Sequence, residues 1–131
     1  YNLYQKKSVN SLRFLGYSLA NMDIELGGRL AIFLVSFDLL ERFNIPGDDI
    51  ENLVNYGRDI KDVDIAVSIT ETDDNKIKLS FRSKHDDVDV RALAQLFNGG
   101  GHKKAAGAVL VSTLDDAKNR VIDKAKQFVR W

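Results

Sequence analysis

The chain has 131 residues, 44% of them hydrophobic, with 19 basic and 19 acidic side chains, two histidines and no cysteine. This is enough apolar material for one domain with its own core, while the zero net charge excludes the broad basic field of a nonspecific nucleic-acid coat and the missing cysteines exclude disulfides and thiolate metal sites. No apolar run approaches a membrane span and no signal-like segment opens the chain, so the reading is a cytoplasmic domain with no membrane partner, and a start at Tyr1 rather than Met suggests a piece of a longer protein.

Leu12, Leu15 and Leu19 recur at helical spacing, predicting a helix over 8–20 with those leucines on its inner face. A short strand follows over 21–26, and Gly27-Gly28 signals a hairpin turn into a strand over 29–37. Within it, Ala31-Ile32-Phe33-Leu34-Val35 is apolar at every position, as in a strand covered on both faces. Ser36 or Asp38 can cap a short helix carrying Leu39, Leu40 and Phe43, which Pro46 and Gly47 end. Asp48, Asp49 and Glu51 then crowd the start of another helix, where carboxylates complement the dipole; capping chemistry explains them better than a metal cluster. Asn55 and Tyr56 close that segment, and Asn55 is a ready C-terminal cap.

Val63, Ile65, Val67 and Ile69 alternate with polar or small residues, 72–75 turn the chain, and Ile77, Leu79 and Phe81 alternate with Lys78, Ser80 and Arg82. The pattern predicts a β-hairpin with one buried face. Arg82 and Lys84 share the polar parity: a solvated face explains them, and so does a guanidinium fork at a strand end gripping a phosphate, with the Ser83 hydroxyl and N–H beside it. His85-Asp86-Asp87 is too local to enclose a metal ion. Asp89 is an N-cap for a helix with Val90, Leu93, Ala94 and Phe97 facing the core.

That helix delivers the chain to Phe97-Asn98-Gly99-Gly100-Gly101-His102-Lys103-Lys104-Ala105-Ala106-Gly107. One glycine past a helix end is an ordinary αL cap. Three in succession, followed by an imidazole and two ammonium groups, suit a loop whose N–H groups hold an anion, and a helical turn starting at His102 would add its dipole. After Gly107, 108–111 reads as a short central strand, and Thr113 with Asp116 resembles a capping box for a last helix striped by Leu114, Ala117, Val121, Ala125 and Phe128. The sum is a single α/β domain, a mixed sheet of about five strands flanked by helices. A hydrolase needs an activated nucleophile, and the sequence carries no H-x-x-E-H, G-x-S-x-G or paired-carboxylate motif. No catalytic or metal-ligating residue is assigned.

The string 97–107, with Arg82-Ser83-Lys84 upstream, Val88-Asp89-Val90 between them, and 53–56 and 64–67 earlier, resembles the DHHA1 domain. This is the C-terminal, substrate-binding half of the DHH phosphoesterases, and the likeness is to the bacterial nano-RNase and pAp-phosphatase branch, often labelled exopolyphosphatase-related. Departures are Asn98, where the family often has a fourth glycine, and the added-looking His85-Asp86-Asp87. The resemblance implies a linker or helix start over 1–10, arriving from an N-terminal DHH domain, and a DHHA1 domain over 11–131. It implies that Arg82, Ser83 and Lys84 grip a phosphate, that the N–H groups of Gly99, Gly100 and Gly101 with His102 hold a terminal nucleotide, and that Asn55 lies near the interdomain cleft; Lys103 matches less specifically. It further implies two divalent metals, manganese by family habit, in the DHH half and no cofactor in this one.

Three readings follow. The chain is the substrate-binding module of a phosphoesterase acting on short RNA or pAp; or the same module of a cyclic-dinucleotide phosphodiesterase or single-strand exonuclease; or a non-catalytic interaction or dimerisation domain whose glycine loop is structural. The sequence leaves a homodimer open.

Overall fold

The computed structural model describes residues 8–131. Most of the segment expected as a linker, 1–10, falls outside them. Helix α1 spans Val9–Ala20, capped by the Ser8 hydroxyl, which accepts from the Ser11 N–H. Strand β1 (Asp23–Glu25) leads through a 3₁₀ turn, Leu26–Gly28, into β2 (Leu30–Val35). Helices α2 (Phe37–Phe43) and α3 (Asp48–Arg58) follow, then β3 (Ile65–Glu71), β4 (Lys76–Arg82), α4 (Val90–Gln95), β5 (Gly100–His102), β6 (Ala105–Val111) and α5 (Leu114–Ala125). Four helices have side-chain caps: Ser8, Ser36, Asp89 and Thr113 each accept a backbone N–H of the first helical turn, the last three as the sequence predicts. Helix α2 ends before Pro46, at Asn44 in the left-handed region with φ 47°.

The six strands form one mixed sheet in the order β1-β2-β3-β4-β6-β5. Only β2 and β3 run parallel, joined through α2 and α3. One sheet face, with Leu30, Ile32, Val67, Ile69, Leu79 and Phe81, packs against α4 and α5 in the main core. On the opposite face Phe33 and Val35 meet Phe14, Leu39, Phe43 and Leu53 from α1, α2 and α3.

Three expectations change on contact with tertiary structure. The inner face of α1 is Ser11, Phe14 and Ser18, while Leu12 is exposed; the small serines let the helix seat closely around Phe14. β3 is buried on both faces rather than one, because helices cover both sides of a central strand, so Ser68 and Thr70 lie inside. The last strand begins at Ala105, and its outer half is exposed at Val109 and Val111 rather than central.

Past α5, Val129 is buried, and Asp64 accepts from the Arg130 backbone N–H at 2.7 Å and from its Nε at 3.3 Å. Arg130 Nη2 lies 2.9 Å from His85 Nε2, so the buried Asp64 fastens the C-terminal segment to the connection that follows β4. An arginine offers only donors, so His85 Nε2 is the acceptor in that contact.

Candidate functional site: a bare half of the sheet

Helices α1 to α3 cover β2 and β3 and reach β4, but toward β5 that face opens: Lys78, Val109, Gly100 and His102 are exposed and Ala105 and Gly107 half-buried, while Ser80 stays buried. Register fixes what lies there. Arg82 pairs with Ala105 and Ala105 with His102, making one row across three strands. The next row is Ser80, Gly107 and Gly100, and beyond it Lys78 pairs with Val109. Residues paired across a sheet point to the same face, so an arginine and a histidine, about 10 Å apart at the backbone, flank an alanine. A cleft of about 410 Å³ covers this region, with a floor of Gly100, Ala105 and Gly107 and walls that include Glu51, Lys78, Arg82 and Val109. His102 stands beyond Ala105 on the outer strand, exposed.

The predicted loop is largely a β-hairpin: β5 and β6 pair around the turn Lys103-Lys104, and no helical turn starts at His102. The helix end is a Schellman cap built on Asn98, whose φ is 61°, with the Asn98 N–H donating to Gln95 and the Gly99 N–H to Ala94 at 2.9 Å. The Gly99 amide is therefore occupied within the fold. A Cβ at Gly99 would sit 2.1 Å from the Gly107 carbonyl oxygen, and Gly101 has φ 138° with Ala106 against it. At Gly100 a Cβ would meet nothing within 4 Å, so the sheet surface there is open.

Arg82 is largely buried, with Nη1 donating to the Phe81 carbonyl at 2.9 Å and Nη2 paired with the Glu51 carboxylate. Ser83 is buried and built into its own turn: its hydroxyl brackets the His85 N–H and carbonyl, and its N–H donates to Lys104. Lys84 donates to the Ile60 carbonyl at 3.2 Å, just past α3. Lys103 is exposed, and its carbonyl accepts from the Val90 N–H. Lys104 pairs with Asp86 at 2.9 Å, and that hydrogen bond holds the Asp86 carboxyl below the ordinary carboxylate range.

Asn55 lines a different cavity, about 380 Å³, between α1 and α3 with Phe14, Asn52 and Tyr56. It lies one helical turn from Glu51, on the same side of α3, and accepts from Arg58 at 3.4 Å. Next to it the Arg58 hydrogen bond lowers the Asp59 pKa. The structure thus brings together Arg82, Gly100 and His102, and sets Ser83, Lys84 and Asn55 apart from them. Sequence reasoning missed Glu51, Lys78 and Val109 as cleft walls. Parity alone places Lys78 with Arg82, but no sequence signal brings a helix carboxylate to a strand 31 residues later. Among the described residues no three His, Asp or Glu side chains are grouped to hold a metal ion, and no helix is long and apolar enough to cross a membrane.

Fold and cleft together define an α/β domain whose helices leave one end of a sheet face partly uncovered, floored by small residues and walled by two cations, a carboxylate and a valine. The chain belongs to the DHHA1 domain family, whose model matches residues 28–130. It is 32% identical over 110 residues to the bifunctional oligoribonuclease and PAP phosphatase NrnA of Bacillus subtilis (strain 168), covering 84% of this chain and 34% of that protein. An exopolyphosphatase-related protein from Bacteroides fragilis shares the structure at a TM-score of 0.87 with 28% identity, over 96% of this chain and 37% of the other. The pGpG-specific phosphodiesterase PggH of Vibrio cholerae shares the fold at 0.60, with 9% identity over 91% of this chain and 40% of its own. The chain thus spans about a third of the length of NrnA and of the Bacteroides fragilis protein.

Proposed function

We propose that this chain is the substrate-holding domain of a metal-dependent phosphoesterase acting on short oligoribonucleotides or pAp. The observation that carries the reading is the row Arg82, Ala105, His102 on a bare floor that includes Gly100. A largely buried guanidinium is held in place before any ligand arrives, so little side-chain entropy is lost on binding a phosphate oxygen. His102 supplies a second polar group about a nucleotide's width away, and the small floor lets a sugar or base approach the sheet. The kinship with NrnA supports the substrate class.

Water activation belongs, on this reading, to a DHH domain preceding the chain, with two divalent metals, manganese among the candidates. The present residues bind and orient; none is placed as a nucleophile. The cysteine-free sequence suits work in a reducing cytoplasm.

An NMR titration with a short RNA oligonucleotide tests the reading. Saturable amide shifts confined to Arg82, the strip 99–103 and the facing β6 residues are expected, and Arg82→Ala abolishes them while keeping the folded spectrum. Absence of saturable shifts at millimolar RNA, or shifts that survive Arg82→Ala, would reject it.

A further inference from the structure

Glu51 has a partner beyond its own helix. It shares the first turn of α3 with Asp48 and Asp49, where carboxylates offset the exposed N–H groups, but its side chain also reaches across to Arg82 of β4. Its carboxylate is 42% exposed and lines the same cleft as Gly100 and Ala105. Arg82 has a second anchor besides Glu51, since the Phe81 carbonyl holds Nη1 and the side chain is only 16% exposed. A guanidinium carries five N–H donors, and one on Nη2 faces Glu51 while one on Nη1 faces Phe81. A phosphate on the remaining donors therefore sits beside a carboxylate.

From this we infer that Glu51 is a specificity determinant: a built-in anion that occupies Arg82 when the cleft is empty and disfavours ligands in proportion to their charge. The inference rests on the proposed phosphate-binding role of Arg82. Its consequence is selection at this position for an internal phosphodiester, with one negative charge, over a terminal phosphomonoester, which carries nearly two above the second phosphate pKa of about 6. Coulomb repulsion at a half-exposed site amounts to about threefold in affinity per ligand charge, so about threefold against a diester and about tenfold against a dianionic monoester. Such a cleft favours the interior of an oligonucleotide over a mononucleotide with a free phosphate, and so, of the two substrate classes proposed, the oligoribonucleotide over pAp at this position.

The test is the affinity of this chain, by calorimetry or amide shifts at pH 8 and low salt, for two probes: AMP and the dinucleoside monophosphate ApA. Glu51→Gln and Glu51→Ala should both tighten AMP binding about tenfold and ApA binding about threefold. Arg82→Ala should lose both ligands. Unchanged or weaker binding of both probes by the Glu51 variants, with native spectra, would overturn the inference and make Glu51 a brace for Arg82. Equal tightening of the two probes would also overturn it, because charge selection would be absent. Undiminished binding by Arg82→Ala would instead reject the underlying reading of the cleft.

Discussion

Gly99 and Gly100 are neighbours in sequence and opposite in physical role. The first lies where the backbone of β6 comes too close for any side chain: its Cβ would overlap the Gly107 carbonyl, and no rotamer adjustment relieves a clash with main chain. The second faces open space in β5. Gly99→Ala should therefore destabilise the domain by about 3 kcal/mol or more, the upper range of overpacking, by forcing β5 away from β6. Gly100→Ala should change stability by less than about 1 kcal/mol and narrow the cleft floor. Urea unfolding midpoints at unchanged slope measure both. Equal costs at the two positions would mean that the three glycines serve the turn alone, and would remove the distinction between scaffold and floor.

Among the elements, the tail after α5 is held less by helix propensity than by Asp64. That carboxylate is 3% exposed and takes two hydrogen bonds from Arg130. Removing both acceptors with Asp64→Ala should cost about 2 kcal/mol, as expected for two charge-assisted bonds whose arginine partner can still reach water. Exchange of the Arg130 amide should accelerate first, and an unchanged exchange rate would show that Val129 packing alone secures the segment. None of this was visible in the sequence, where Asp64 reads as one polar position in an alternating strand. Local signals served well elsewhere: serine, threonine and aspartate before periodic apolar runs marked three helix starts, because capping is decided within a few residues. They failed where another element decides the outcome. β5 has glycines at its first two positions, so no side-chain alternation announces a strand; its pairing with β6 does. Leu12 of α1 has the right period for a core face, yet the helix turns Ser11 and Ser18 inward instead. Of the candidate site, Arg82 and Gly100 were legible from type and spacing, whereas Glu51 depended on α3 being laid beside β4.

For the molecule as a whole, 19 cations against 19 anions leave no long-range field to gather a polyanion. Local pairing reinforces this: Lys76 with Asp74, Lys104 with Asp86 and Lys118 with Asp23 are matched at the surface, and Arg130 is matched with the buried Asp64. Binding of short RNA should then involve the one or two phosphates that reach Arg82 and its surroundings. Each phosphate neutralised on a single strand contributes about −0.7 to the slope of log affinity against log salt, so the slope for a trinucleotide should lie near −1. Lengthening the RNA to ten nucleotides should leave that slope nearly unchanged, because there is no basic track for further phosphates to follow. A slope steeper than about −3, growing with length, would mean that cations outside the cleft, such as Lys76 and Lys103, engage the strand. The molecule would then be a reader of extended single strands, and the cleft at Arg82 only the first position along its path.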